Sequence, residues 1–231
     1  YDTNDGNVKS GTNSYAHDSA DYTAFLGLGE TWSVPAIARV DPATHVTSRG
    51  RPAEFAMFMG SGYSDVSTEG KTFYVLDALT GDVIRSFDLP DGTVAQAGLT
   101  LPNAVPASPA IYTVETTTGL SPSGLNYVTN PVEASAKDVY FGDLHSRIWR
   151  YSLATPLLPP TTIANLSLEG DGDQPFANGM ALLEYLKTPQ IFTSGGRDSR
   201  VNLRTSPPRF RMYGYNDGPA GNPAGPLTQL F

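Results

Sequence analysis

Short runs rich in apolar, β-branched and aromatic residues recur along this chain, separated by clusters of Gly, Pro, Asn, Asp and Ser. Runs of four to eight such residues bounded by turn-forming residues are the mark of a strand. The clearest case runs from Phe73 to Phe87. Val75, Val83, Ile84 and Phe87 suit a pleated surface. Between them, Asp77-Ala78-Leu79-Thr80-Gly81 supplies the side-chain-to-backbone hydrogen bonds and the positive φ of a tight turn. The segment therefore predicts a two-stranded hairpin. The one stretch with helical possibilities, Ala181-Leu182-Leu183-Glu184-Tyr185-Leu186, is too short for periodicity to decide and is read as a strand.

Units resembling this one recur. The first places Trp32–Val40 and Phe55–Tyr63 before the hairpin, giving four strands expected at Trp32–Val40, Phe55–Gly60, Thr72–Leu76 and Val83–Asp88. The second offers Ala107–Val114, then Asp138–Tyr151 with a break at Gly142-Asp143, then Thr162–Leu168. A third begins near Pro175-Phe176, passes through Gln190–Gly196 and reaches Phe210–Tyr215. Pro35 and Pro109 stand 74 residues apart, and Pro109 and Phe176 stand 67 apart, so the register holds while the loops vary. Strand, gap, glycine-ended strand and hairpin is the pattern of β-propeller blades, which stack radially. The expected fold is all-β, with about three quinoprotein-like blades at residues 25–90, 104–170 and 174–231. A ring normally closes with four to eight blades and an open one bares its edges. The chain is therefore expected to be part of a larger propeller.

Composition agrees with a loop-rich β protein: 231 residues with 23 Gly and 19 Pro, and only 16% charged. A net charge of −8 argues against nucleic acid as a partner, since phosphate neutralisation needs a basic stripe. The arginine run Arg197, Arg200, Arg204, Arg209 and Arg211 reads as a solvated loop. No apolar run is long enough to insert in a membrane, and Tyr1-Asp2-Thr3-Asn4 has no signal-peptide layout. An export signal is expected upstream.

The absence of cysteine removes disulfides and thiolate chemistry. His17, His45 and His145 are too dispersed for a local metal motif and are read as loop residues, and no nucleophile elbow or Walker loop is present. Two oxygen-rich loops are candidate Ca2+ sites: Asp2 and Asn4 in Asp2-Thr3-Asn4-Asp5-Gly6, and Asp171 and Asp173 in Glu169-Gly170-Asp171-Gly172-Asp173. Alternating hard oxygens can converge on one calcium ion. Ordinary turn chemistry accounts for the same residues.

Several segments carry a resemblance. Leu28-Gly29-Glu30-Thr31-Trp32-Ser33-Val34-Pro35, Met59-Gly60-Ser61-Gly62-Tyr63, Tyr74–Gly81, and Val139-Tyr140-Phe141-Gly142-Asp143-Leu144 with Ile148-Trp149-Arg150-Tyr151 resemble, in order and spacing, the type IV pilus tip-adhesin family (PilC/PilY). Gly195-Gly196 and Phe210–Asp217 are similar to later segments of that family, so the resemblance spans about residues 25 to 218. It implies a C-terminal propeller module of an extracellular pilus-tip protein that promotes pilus assembly and attachment. The implied partners are pilins or minor pilins and a host or abiotic surface. The family's calcium loop corresponds here to Asn130–Asp138, which lacks its dense acidic alternation and contains Lys137, so no metal residue is carried onto it.

A rival is a pyrroloquinoline-quinone dehydrogenase, whose propeller shares the hairpin repeat and pairs a metal with an aspartate base. A third reading is an exported scaffold for protein–protein interaction. Asp77 and Asp143 are read as turn and corner residues before bases, and Trp32 and Trp149 as packing residues buried between blades. The expectation is a non-enzymatic module without a redox cofactor, recognising partners through its longest loops, at residues 41–53, 90–106, 116–137 and 199–209.

Overall fold

The computed structural model describes residues 7–10, 13–16, 19–91, 102–114, 135–166, 175–185, 188–196, 212–218 and 225–227. After a two-stranded hairpin, β1 (Asn7–Ser10) and β2 (Asn13–Ala16), comes a short helix, α1 (Ser19–Phe25). Three antiparallel four-stranded meanders follow. The first contains β3 (Ala36–Arg39), β4 (Phe55–Gly60), β5 (Thr72–Asp77) and β6 (Val83–Asp88) in that order. The second contains β7 (Ala110–Val114), β8 (Ser135–Gly142), β9 (Arg147–Ser152) and β10 (Thr161–Asn165). The third contains β11 (Ala181–Tyr185), β12 (Thr188–Ser194), β13 (Met212–Asn216) and β14 (Gly225–Leu227). The fold is all-β, built of propeller blades.

The alternation along each central strand decides which blade it meets. In β8, Val139 and Phe141 pack toward the first blade, with Phe58, Phe73, Val75, Trp149 and Tyr151 in one core. Tyr140 points the other way, into a second core with Ile148, Phe176, Ile191, Tyr213 and Tyr215. The Phe73 and Phe141 rings stack across the first interface with centroids 4.2 Å apart and planes 6° apart. Strand β5 is buried at every position because both of its faces are covered, which is why its sequence is a continuous apolar run rather than an alternating one.

The second face of β5 is covered by α1. Phe25 lies on Tyr74 with centroids 5.5 Å apart, and the Tyr74 hydroxyl donates to the Ala24 carbonyl at 2.7 Å. Asp21 fastens the helix to the blade by accepting from Ser48 Oγ at 2.7 Å and from the Val83 amide at 3.2 Å. This helix was not anticipated from the sequence. Its length is marginal for an isolated helix, and its stability comes from docking on Tyr74, Leu76 and Val83.

Successive blades are joined where β4 and β8 end. A Cβ on Gly60 would overlap the Val105 carbonyl, and one on Gly142 would lie 2.5 Å from Phe176 Cβ. Val105 and Phe176 each stand in the segment entering the next blade, so glycine ends these strands because a side chain would displace that segment. The repeat is also visible in hydrogen bonds. Ser33 Oγ donates to the Ala107 carbonyl at 3.1 Å, and the Val34 amide donates to Ser108 Oγ at 2.9 Å, both pairs 74 residues apart.

The strands expected at Phe55–Gly60 and Val83–Asp88 lie as anticipated, and β11 bears out the strand reading of 181–186 as far as Tyr185, residue 186 lying outside the described residues. The first strand begins at Ala36 rather than Trp32. Residues 32–35 are held by Ser33 and Ser108 instead of a ladder, and Pro35 has no amide to contribute to one. The fourth strand of the third blade, β14, had no anticipated counterpart.

Two substitutions separate close approach from the mere presence of glycine. Gly142→Ala should lower the urea-derived unfolding free energy by about 1–3 kcal/mol, because the added methyl overpacks a core junction. Gly179→Ala, whose Cβ would meet Ser108 at an ordinary 3.5 Å, should stay within about 0.5 kcal/mol of the parent.

Candidate functional site

The turn joining β8 to β9 carries the densest polar construction of the described residues. Ser146 adopts φ 65°, which turns the chain back so that the backbone amides of His145 and Arg147 both donate to Asp143 Oδ1 at 3.0 Å. Asp143 Oδ2 accepts from Arg147 Nε at 2.7 Å, Trp149 Nε1 at 2.8 Å and Asn103 Nδ2 at 3.1 Å. Arg147 also donates to the Pro90 carbonyl at 2.6 Å and lies over the Trp149 ring, 4.8 Å from its centroid. Asp143 is completely buried. Five donors occupy its two oxygens, so the carboxylate is spent on fixing the corner and has no free lone pair aimed at a substrate. The corner reading of Asp143 and the burial of Trp149 both hold.

Asp77 holds a different turn, the one joining β5 to β6 in the first blade, accepting from the Leu79 amide at 2.9 Å and the Thr80 hydroxyl at 3.0 Å. Its neighbour Asp82 accepts from Thr80 and pairs with Arg51 and Arg49, binding the 41–53 loop to the hairpin.

A second polar group crosses from the second blade to the third. The Tyr140 hydroxyl donates to Asp217 Oδ2 at 2.6 Å, and Arg150 donates to both Asp217 oxygens at 3.0–3.1 Å. Nearby, burial holds the Asp138 carboxyl above the usual carboxylate range, with Ser152 and Arg150 opposing. Burial raises the Tyr140 phenol, and donation to Asp217 raises it further. Tyr112 is pushed up to about 12 by burial and by its bond to Glu184 at 2.8 Å. These phenols stay protonated and act as donors.

His45 was read as an ordinary loop residue, but it is fully buried where the 41–53 loop folds onto the blade. Its Nδ1 meets the Asp41 carbonyl at 3.1 Å, while Nε2 has no hydrogen-bond partner among the described residues. Burial lowers its pKa, against the Asp41 carbonyl. A proton added at Nε2 would be a buried donor without an acceptor.

Trp32 differs from expectation. It is 66% exposed, where burial between blades was anticipated. The buried neighbour is Ser33, whose hydroxyl receives the Gly60 amide at 3.2 Å while donating to the next blade. The side chain that precedes it is consequently turned outward. The Trp32 indole stacks on Tyr63, centroids 6.2 Å apart and planes 19° apart. Tyr63 is itself paired through its backbone with Glu30. Nothing in the strand pattern distinguishes these outward aromatics from core residues.

Asp2, Asn4, Asp171 and Asp173 lie outside the described residues, as does the 197–211 arginine run. Among the described residues no three His, Asp or Glu side chains converge as a metal site, and no helix is long and apolar enough to cross a membrane.

Neither protein-family models nor curated proteins yield a match to this sequence. Among solved structures, the fold is similar to the crystal structure of the Pseudomonas aeruginosa PilY1 C-terminal domain, with a TM-score of 0.50 and 17% identity. The similarity covers 85% of this chain and 38% of that one, so the chain spans less than two fifths of that structure's length. At this identity the likeness is one of fold: the chain has a PilY1-like β-propeller architecture.

Asp143→Asn should cost about 3–5 kcal/mol in urea unfolding, because Arg147 would remain buried without its counter-charge. The role of His45 is checked by pH. Its folded-state pKa is depressed, so its contribution is complete above the unfolded value of about 6.5 and is lost as pH falls toward the depressed folded value. His45→Gln should flatten the decline in stability between about pH 7 and pH 5 that is expected of the parent.

Proposed function

We propose that this chain is a propeller module of an exported type IV pilus-tip protein that supports pilus assembly and surface attachment without catalysing a reaction. The observation that carries this reading is the PilY1-like fold, found in a chain whose first two blades end their second strands in the same way. Gly60 and Gly142 each close the second strand of a blade against the segment entering the next, while Asp77 turns the chain between the third and fourth strands of the first blade and Asp143 between the second and third strands of the second. The partners of this reading are pilins or minor pilins on one side and a host or abiotic surface on the other, at an extracellular location.

The dehydrogenase alternative needs an aspartate free to take a proton from an alcohol. The acids at the blade corners are turn acceptors instead, Asp143 with five donors and Asp77 with two. That distribution of hydrogen bonds favours a scaffold over a catalyst.

Removal of the full-length protein from its source cell should reduce the number of surface pili counted by electron microscopy. The purified protein, incubated with pyrroloquinoline quinone and Ca2+, should not reduce dye with alcohols or sugars. Normal piliation together with robust dye reduction would replace this reading with the enzyme.

A further inference from the structure

Trp32 and Trp149 are the only tryptophans, and the structure treats them in opposite ways. Trp149 is buried and complete: the Arg147 guanidinium lies over its ring, and Asp143 neutralises that cation. Among the described residues Trp32 has the aromatic surface and the acidic neighbourhood but no cation over its ring. Tyr63 backs the indole, which leaves its other face to solvent. Glu30 is cross-strand partner to Tyr63, with Glu30 N to Tyr63 O at 2.6 Å and Tyr63 N to Glu30 O at 2.9 Å. Directly opposed residues of an antiparallel pair project to the same side, so the exposed Glu30 carboxylate stands on the side of the Tyr63 ring.

In the two segments that carry this platform the charge left outside ion pairs among the described residues has one sign. The segments 28–35 and 61–71 contain Glu30, Asp65 and Glu69, and their single cation, Lys71, is paired with Asp91 at 3.4 Å. Among the described residues neither Glu30 nor Asp65 is in an ion pair. The platform is also rigid. Ser33 is hydrogen-bonded to the adjoining blade, the Trp32 amide donates to Glu30 O at 3.0 Å, and the Glu30–Tyr63 bridge locks the two segments together. A fixed indole with a carboxylate beside it loses little conformational entropy when a ligand settles on it.

We propose that Trp32 and Tyr63, with Glu30 at their edge, form a docking surface for an arginine side chain of a basic protein partner, the partner supplying from outside the cation that Arg147 supplies to Trp149 within the fold. A guanidinium is flat, weakly hydrated and able to stack on an indole while donating to a carboxylate. The acidic balance of the chain draws a basic partner toward this surface. The inference concerns the surface alone and does not depend on the pilus reading.

The test uses the purified chain and three probes: a twelve-residue peptide of alternating Arg and Gly, the same peptide with Gln for Arg, and a panel of neutral oligosaccharides. Trp149 is buried, so emission changes on titration report Trp32. The Arg peptide should quench or shift that emission and the Gln peptide should not. Calorimetry should show Trp32→Ala weakening the Arg peptide about tenfold, with Glu30→Gln also weakening it and raised salt doing the same. Both variants should keep the parent's melting temperature, because both side chains are exposed. Equal binding of the Arg peptide by Trp32→Ala would overturn the proposal, as would no binding of it by the parent. A response to the Gln peptide or to an oligosaccharide as strong as that to the Arg peptide would equally overturn it.

Discussion

The architecture depends on one close approach, repeated: the segment entering each blade passes against the end of the second strand of the blade before it. Val105 lies on Gly60, and Phe176 lies on Gly142. A side chain at either glycine would push the incoming segment outward, and with it the strands that follow. The close contact sets how tightly neighbouring sheets pack, which in turn brings Phe73 and Phe141 into a near-parallel stack and buries the Phe73 and Val75 face of β5, its other face being covered by α1. The large apolar side chains supply most of the favourable burial free energy. The glycines determine that this burial occurs in one geometry.

Polar groups are placed where that geometry leaves backbone unpaired. Asp143 satisfies two turn amides and also anchors Arg147 and Trp149, while Asn103 links the corner to the preceding connection. Asp21 does similar work for α1, and Asp217 for the junction of the second and third blades. Each of these acids is buried, and each is compensated by several donors, as a buried charge requires. The same feature bears on function. A carboxylate whose lone pairs are filled by the fold is a joint, so recognition falls to surfaces that the joints hold steady, among them the outward face of Trp32.

The sequence by itself determined the blades. Strand-prone apolar runs, the Asp-x-x-Thr-Gly turn and the 74-residue step are local or simply repetitive signals, and the backbone obeys them: β4, β6 and the β5–β6 hairpin lie where the pattern put them. Asp143 was legible as a corner for the same reason, since its amide partners are two and four residues away. What the tertiary structure decided was direction and docking. Whether Trp32 faces core or solvent depends on Ser33 reaching Ala107, 74 residues on, and α1 exists because Tyr74, 50 residues beyond Ala24, offers it a face. His45 is buried by a loop closing over it, which no residue beside it in sequence announces. Local pattern fixes backbone form because strands and turns are made from near neighbours; exposure and charge environment belong to contacts between distant segments, which exist only once the blades have packed.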